Sequence, residues 1–237
     1  MTRRRDQRRG DGDAAGPEAS PTFADELERL GLVVTTAERT RETIARSNAD
    51  AADDARVRLR VIACFDCTAP KSCCTMVTGA YLHEGAVLAA RLVDEGRDTP
   101  ALRETLRSAA EGMEASDRVE YARPCAFLGA DDRCTVYEER PSVCGVHLVT
   151  SPAAACTEAR ETTVSAVAGA VHVELPRETD ETFRAALGLP AIDVPYRGAM
   201  PRMVLACLEA WERRDFVAFL TDAVIPAVRR YRWATDA

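Results

Sequence analysis

Cys64-Phe65-Asp66-Cys67-Thr68-Ala69-Pro70-Lys71-Ser72-Cys73-Cys74 is the stretch on which the reading of this chain turns. Its opening C-x2-C lets two thiolates meet one metal from a tight turn, with backbone amides pointing at the sulfurs. Pro70 and Ser72 keep the loop that follows from becoming a helix. Cys73 and Cys74 are adjacent, so their side chains diverge. Either they serve different metals or only one of them is a ligand. A second group comes later: Pro124-Cys125-Ala126-Phe127-Leu128, then Asp132-Arg133-Cys134-Thr135-Val136-Tyr137, then Arg140-Pro141-Ser142-Val143-Cys144, with Cys156 further on. These are spaced more widely than the ligands of a short zinc knuckle, so the fold must bring them together. Eight thiols between Cys64 and Cys156 therefore read as one metal-binding cluster.

The rest of the chain sets the context for that cluster. It has 237 residues, enough for one good-sized domain or two small ones. No apolar run approaches the ~20 residues that cross a bilayer. The start, Met1-Thr2-Arg3-Arg4-Arg5-Asp6-Gln7-Arg8-Arg9, is basic but runs into Gly10-Asp11-Gly12-Asp13 rather than a hydrophobic stretch. That excludes a secretory or twin-arginine signal, and a cytoplasmic location is expected. In a reducing compartment, dense cysteines point to metal or redox chemistry rather than disulfides. The net charge of −7 argues against a nucleic-acid partner. The excess of Arg over Lys (Lys71 is the sole lysine) is what a GC-rich genome produces, not a phosphate-binding signature.

Outside the cysteines the patterning is helical. Residues 1–21 read as a disordered tail. Residues 22–60 read as N-terminal helices: Thr22 with Asp25 resembles an N-cap, Gly31 would end the first helix, and Thr35 with Glu38 forms a capping box that opens the second. Residues 61–160 hold the cysteine cluster. Within them a helix runs from about Tyr81 to Glu95 and is closed by Gly96. Another is opened by Thr99-Pro100, with Leu102, Leu106, Ala109, Ala110 and Met113 on one face. Pro141 can start a short turn. Residues 161–237 read as a C-terminal helical segment packing on the cluster domain. There Thr162–Val173 is helix or strand, Thr179 caps a helix that stops before Gly188, and 190–195 is a loop. Pro201 opens a helix carrying Met203, Val204, Cys207, Leu208 and Trp211. A last helix holds Phe216, Phe219, Leu220, Val224 and Val228, with Pro226 inside it. The fold class is mainly α, with an irregular cysteine-rich core covered by helices and little or no β.

Several residues carry two readings. His147 follows Cys144 at C-x2-H spacing and competes with Cys156 as a ligand, against a role as a polar residue at the cluster's edge. His83 and His172 read as surface or hydrogen-bonded structural histidines, and Cys207 as a core thiol. Lys71, Arg123, Arg133 and Arg140 lie near cysteines and either supply cations to an anionic thiolate site or are plain surface charges. Phe65, Phe127 and Tyr137 either shield a cluster from water or belong to an ordinary core. Glu138 and Glu139 beside Arg140 read as a solvated, salt-bridged turn.

The order C-x2-C-x5-C-C, P-C-x-F-L and C-x-V-Y-E-x-R-P-x-x-C resembles the YkgJ-type cysteine-cluster family, over roughly residues 60 to 150. The resemblance implies a protein that chelates zinc or iron, or that carries an iron–sulfur cluster. The family's cysteines fall here on Cys64, Cys67, Cys73, Cys74, Cys125, Cys134 and Cys144. The chain departs from the family at Ala126, where Pro is usual, and at Gly145, where an Arg usually follows the last cysteine. Three functions follow as alternatives: a zinc or iron chelator, an iron–sulfur protein with redox or peptide- or protein-modifying activity, and a metal-stabilised adaptor for an unidentified protein partner. No nucleotide-binding loop, serine–histidine elbow or S-adenosylmethionine site is recognisable, so no catalytic residue is assigned.

Overall fold

The structure is a computed structural model that describes residues 62–63, 74, 78–116, 123–145, 148–149 and 171–230, with further single positions between 28 and 50. Two short strand pairs organise it. Strand β1 (Ile62–Ala63) pairs antiparallel with β3 (Leu148–Val149), and β2 (Gly79–Tyr81) pairs antiparallel with β4 (Arg197–Ala199). Each strand of the second pair leads straight into a helix: β2 into α1 (Leu82–Asp94) and β4 into α5 (Met200–Arg213). Cross-links at the junctions fix the pair. The Leu82 amide donates to the Tyr196 carbonyl at 2.8 Å, and the Met200 amide donates to the Thr78 carbonyl at 2.8 Å. The two strands thus set α1 against α5, and that contact is the centre of the fold.

The helix ends follow from local chemistry. The Tyr81 amide donates to Glu84 Oε2 at 2.9 Å, satisfying a donor that the first turn of α1 leaves open. At the other end Gly96 takes a left-handed φ of 65°, the Gly96 amide donates to the Val93 carbonyl, and the Arg97 amide donates to the Leu92 carbonyl. That is the paired closure for which a glycine is favoured. Helix α2 (Pro100–Ala115) starts where expected: Thr99 Oγ1 accepts from the Leu102 amide at 3.2 Å, and Pro100 occupies the first turn. Thr99→Ala should lower stability by about 1 kcal/mol. Urea unfolding with an unchanged m-value would show it, and an unshifted midpoint would discount the cap.

Helix α3 (Ser142–Gly145) is a single turn that follows Pro141. Helices α4 (Val171–Leu187) and α6 (Val217–Arg230) complete the set. The buried core runs through Leu82, Leu88 and Leu92 of α1, Leu106 and Met113 of α2, Phe183 and Leu187 of α4, Met203, Val204 and Leu208 of α5, and Leu220 and Val224 of α6. Ion pairs tie the solvent side of α2 to α5: Arg202 holds both oxygens of Glu114 at 2.9 and 3.0 Å, and Arg103 bridges Asp98 and Glu212. The fold is mainly α.

Two helix starts differ from the sequence reading. Residues 34–36 are all helical, so Thr35 does not open a helix. Thr35 Oγ1 instead donates to the Gly31 carbonyl at 3.0 Å. Thr179 likewise lies inside α4, donating to the Leu175 carbonyl at 2.9 Å, while the helix ends before Gly188 as expected. A threonine hydroxyl serves equally well as a cap or as a bond to the carbonyl four residues back. The expected cap at Thr22 lies outside the described residues, as does most of Thr162–Val173.

Candidate metal centre

The second cysteine group is held by a small hairpin. Leu128 and Cys134 form an antiparallel bridge. Around them the Gly129 amide donates to the Arg133 carbonyl at 2.7 Å, and the Thr135 amide donates to the Phe127 carbonyl at 2.8 Å. The turn closes through Asp132 at a φ of 59°, a left-handed position that Asp tolerates, and through Asp131 Oδ1, which accepts from the Arg133 amide. A β-carbon on Gly129 would stand 2.8 Å from Asp131 Oδ1, so that corner is tight. Phe127 and Val136 point from the hairpin into the core, which fixes Cys125 and Cys134 at its edge.

The two cysteine groups are stitched together at both ends of the first. The Cys125 amide donates to the Cys74 carbonyl at 2.7 Å, joining the last residue of the first group to the first cysteine of the second. Ala63, immediately before the first group, pairs with Leu148, four residues past Cys144. Cys144 sits in α3, its amide donating to the Pro141 carbonyl at 2.9 Å.

Burial pushes the Cys144 thiol well above the usual cysteine range, and the nearby Cys125, Glu84 and Cys134 push it the same way while Arg140 opposes them. Arg140, whose guanidinium lies 3.9 Å from the Tyr137 ring centroid, is the cation the sequence placed near the site. Arg123 and Arg133 are exposed. Glu139 stands 3.7 Å from Arg91 of α1 and Glu138 is exposed, so the acidic pair is the solvated turn expected.

Of the eight candidate ligands, Cys74, Cys125, Cys134 and Cys144 are described, each half-buried. Cys64, Cys67, Cys73 and Cys156 lie outside the described residues, as do Lys71, Phe65 and His147. Among the described residues no three His, Cys, Asp or Glu side chains are spaced to hold a metal ion. What the four described cysteines offer is a soft donor set, drawn from both sequence groups. That chemistry fits zinc or iron. Cys207, fully buried on α5 with its sulfur 3.9 Å from the Leu82 carbonyl oxygen, is the core thiol expected. Phe127 belongs to the core as well.

Two features were missed in the sequence. The first is Glu84: beyond its bond to the Tyr81 amide, its Oε1 accepts from the Ser142 amide at 2.7 Å, tying α1 to the turn that carries Cys144. An acid at the third position of an expected helix was the available signal. The second is a buried polar cluster behind it. His83, 3 % exposed and neither on the surface nor hydrogen-bonded through Nδ1, stands 3.8 Å from Oδ1 of the wholly buried Asp180. Arg184 Nε lies 3.1 Å from the other Asp180 oxygen, which also accepts from the Tyr196 amide at 3.3 Å. Tyr81 stacks on His83 with centroids 5.5 Å apart. Desolvation raises the Tyr81 hydroxyl above its ordinary value, with Arg197 opposing. Helical spacing alone gave no sign that α4 would bury His83. No helix among the described residues is long and apolar enough to cross a membrane.

Comparison with known proteins agrees with this centre. Residues 63–166 match the CxxCxxCC family, described as a "putative zinc- or iron-chelating domain". This is the family of YkgJ-type cysteine clusters. No curated protein and no solved structure matches the chain.

Proposed function

We propose that residues 63–166, a domain of the YkgJ-type cysteine-cluster family, bind zinc or iron through Cys64, Cys67, Cys73, Cys74, Cys125, Cys134, Cys144 and Cys156. The observation that carries the reading is the junction between the groups: the Cys125 amide donates to the Cys74 carbonyl at 2.7 Å, and Ala63, just before the first group, pairs with Leu148, just past Cys144. A metal there neutralises clustered thiolates and cross-links the chain segments that carry them. Free thiols at this density survive only in a reducing compartment, so the protein works in the cytoplasm.

The second reading is an iron–sulfur centre serving redox chemistry or the modification of a peptide or protein. The number of thiols favours it, since eight exceed the four that one cluster or one zinc requires. One preparation separates the two. Protein purified without oxygen is examined for its visible spectrum and for zinc, iron and acid-labile sulfide. A colourless protein with stoichiometric zinc supports the chelating reading and removes the redox one. A brown protein containing iron and sulfide does the reverse. A protein with neither metal refutes both.

A further inference from the structure

We propose that Glu84 is a positioning residue for the metal centre, holding the Cys144 turn against the first turn of α1 so that metal retention depends on it. The inference rests on Cys144 being a ligand. Glu84 spends both carboxylate oxygens on backbone amides from different parts of the chain: Oε2 on Tyr81 at 2.9 Å and Oε1 on Ser142 at 2.7 Å. The first bond caps its own helix. The second reaches across the fold to the first residue of α3, two positions before Cys144, and it is short, as bonds from an amide to an ionised acceptor are. Ser142 is buried there, so no water replaces the carboxylate readily. Within α3 the Cys144 amide bonds back to the Pro141 carbonyl, so the turn moves as a unit with Ser142. Helix α1 is itself locked into the core by Leu82, Leu88 and Leu92. Glu84 therefore transmits the position of a rigid helix to one cysteine of the site. Groups that orient a ligand from outside the coordination sphere carry a large share of metal affinity.

The experiment measures how fast a chromogenic chelator strips protein loaded with zinc or with ferrous iron, whichever it retains after gel filtration, well below the unfolding temperature. Six chains are compared: wild type, Glu84→Ala, Glu84→Gln, Ser142→Pro, the double variant Glu84→Ala with Ser142→Pro, and Cys144→Ser. Ser142→Pro removes the donor from the cysteine side while leaving Glu84 and its bond to Tyr81 in place, and proline is accepted in the first turn of a helix. Metal loss should quicken about 10–100-fold in Glu84→Ala and Ser142→Pro alike. Glu84→Gln, which keeps an acceptor oxygen, should fall between them and wild type. The double variant should be no faster than either single one. Release within twofold of wild type in Ser142→Pro overturns the proposal, even if Glu84→Ala is fast or fails to fold, because any effect then comes from the α1 cap. Equal release from Cys144→Ser and wild type removes Cys144 from the ligand set and overturns the proposal together with the reading beneath it.

Discussion

Cys134→Ser is expected to strip most of the metal from the protein while leaving the helical core assembled. The first half follows from ligand chemistry. A hydroxyl does not replace a thiolate on zinc or iron, and the loss should exceed the 10–100-fold that outer partners cost. Structural zinc contributes apparent binding energies of about 10–16 kcal/mol, so whatever the metal alone holds together will come apart. The second half follows from where the apolar contacts lie. Leu82, Leu88, Leu92, Met203, Val204 and Leu208 are buried where α1 packs on α5, whereas Cys125 and Cys134 are only partly buried against that core. The hairpin contributes Phe127 and Val136 to the core, each worth about 1.5–3 kcal/mol when fully buried. Uncovering them weakens the domain without dissolving it. Hydrogen exchange separates the regions: the amides of Gly129, Thr135 and Cys144 should lose protection, whereas those within α1 and α5 keep it. Metal content equal to wild type would end the ligand assignment for Cys134. Simultaneous loss of protection in α1 would show that the metal supports the whole fold.

How much of this was readable beforehand depended on how local the signal was. The end of α1 and the start of α2 were legible because a glycine sits at the one and a threonine–proline pair at the other, and Gly96 and Thr99 act there as read. Thr35 and Thr179 misled because the same hydroxyl bonds a carbonyl four residues back. The pairing of β2 with β4 left no local trace, since three-residue strands far apart in sequence are chosen by the helices they align. The cysteine motif was legible for a chemical reason: thiols at this density have few other uses in a reducing compartment. Glu84 was not, because its partner Ser142 is distant in sequence and the bond is to backbone, which any residue supplies. His83 read as a surface or hydrogen-bonded structural histidine, and its place beside the buried Asp180 of α4 left no local trace.

Gly85→Ala sets two effects of opposite sign against each other, and the packing effect should win. Gly85 lies inside α1, where alanine is favoured over glycine by about 1 kcal/mol. A β-carbon there would stand 2.7 Å from the Met203 carbonyl carbon, 2.8 Å from its oxygen and 2.9 Å from its β-carbon. These are backbone or backbone-attached atoms of α5, so no side chain can swing aside, and the helices must part. They are poorly free to do so, because α5 is held at its start by the Met200–Thr78 bond and α1 by the Leu82–Tyr196 bond. Overpacking a core usually costs about 1–3 kcal/mol, and a contact with backbone belongs at the upper end or above. The net loss should be about 2 kcal/mol after the propensity gain is subtracted, and Gly85→Val should be worse. Gly31→Ala is the control: Gly31 is also helical, and a β-carbon there meets nothing within 4 Å. It should be neutral or stabilising by up to about 1 kcal/mol. Denaturant midpoints of the two variants decide the matter. A stabilising Gly85→Ala would mean that α1 and α5 do not meet as closely as this structure places them.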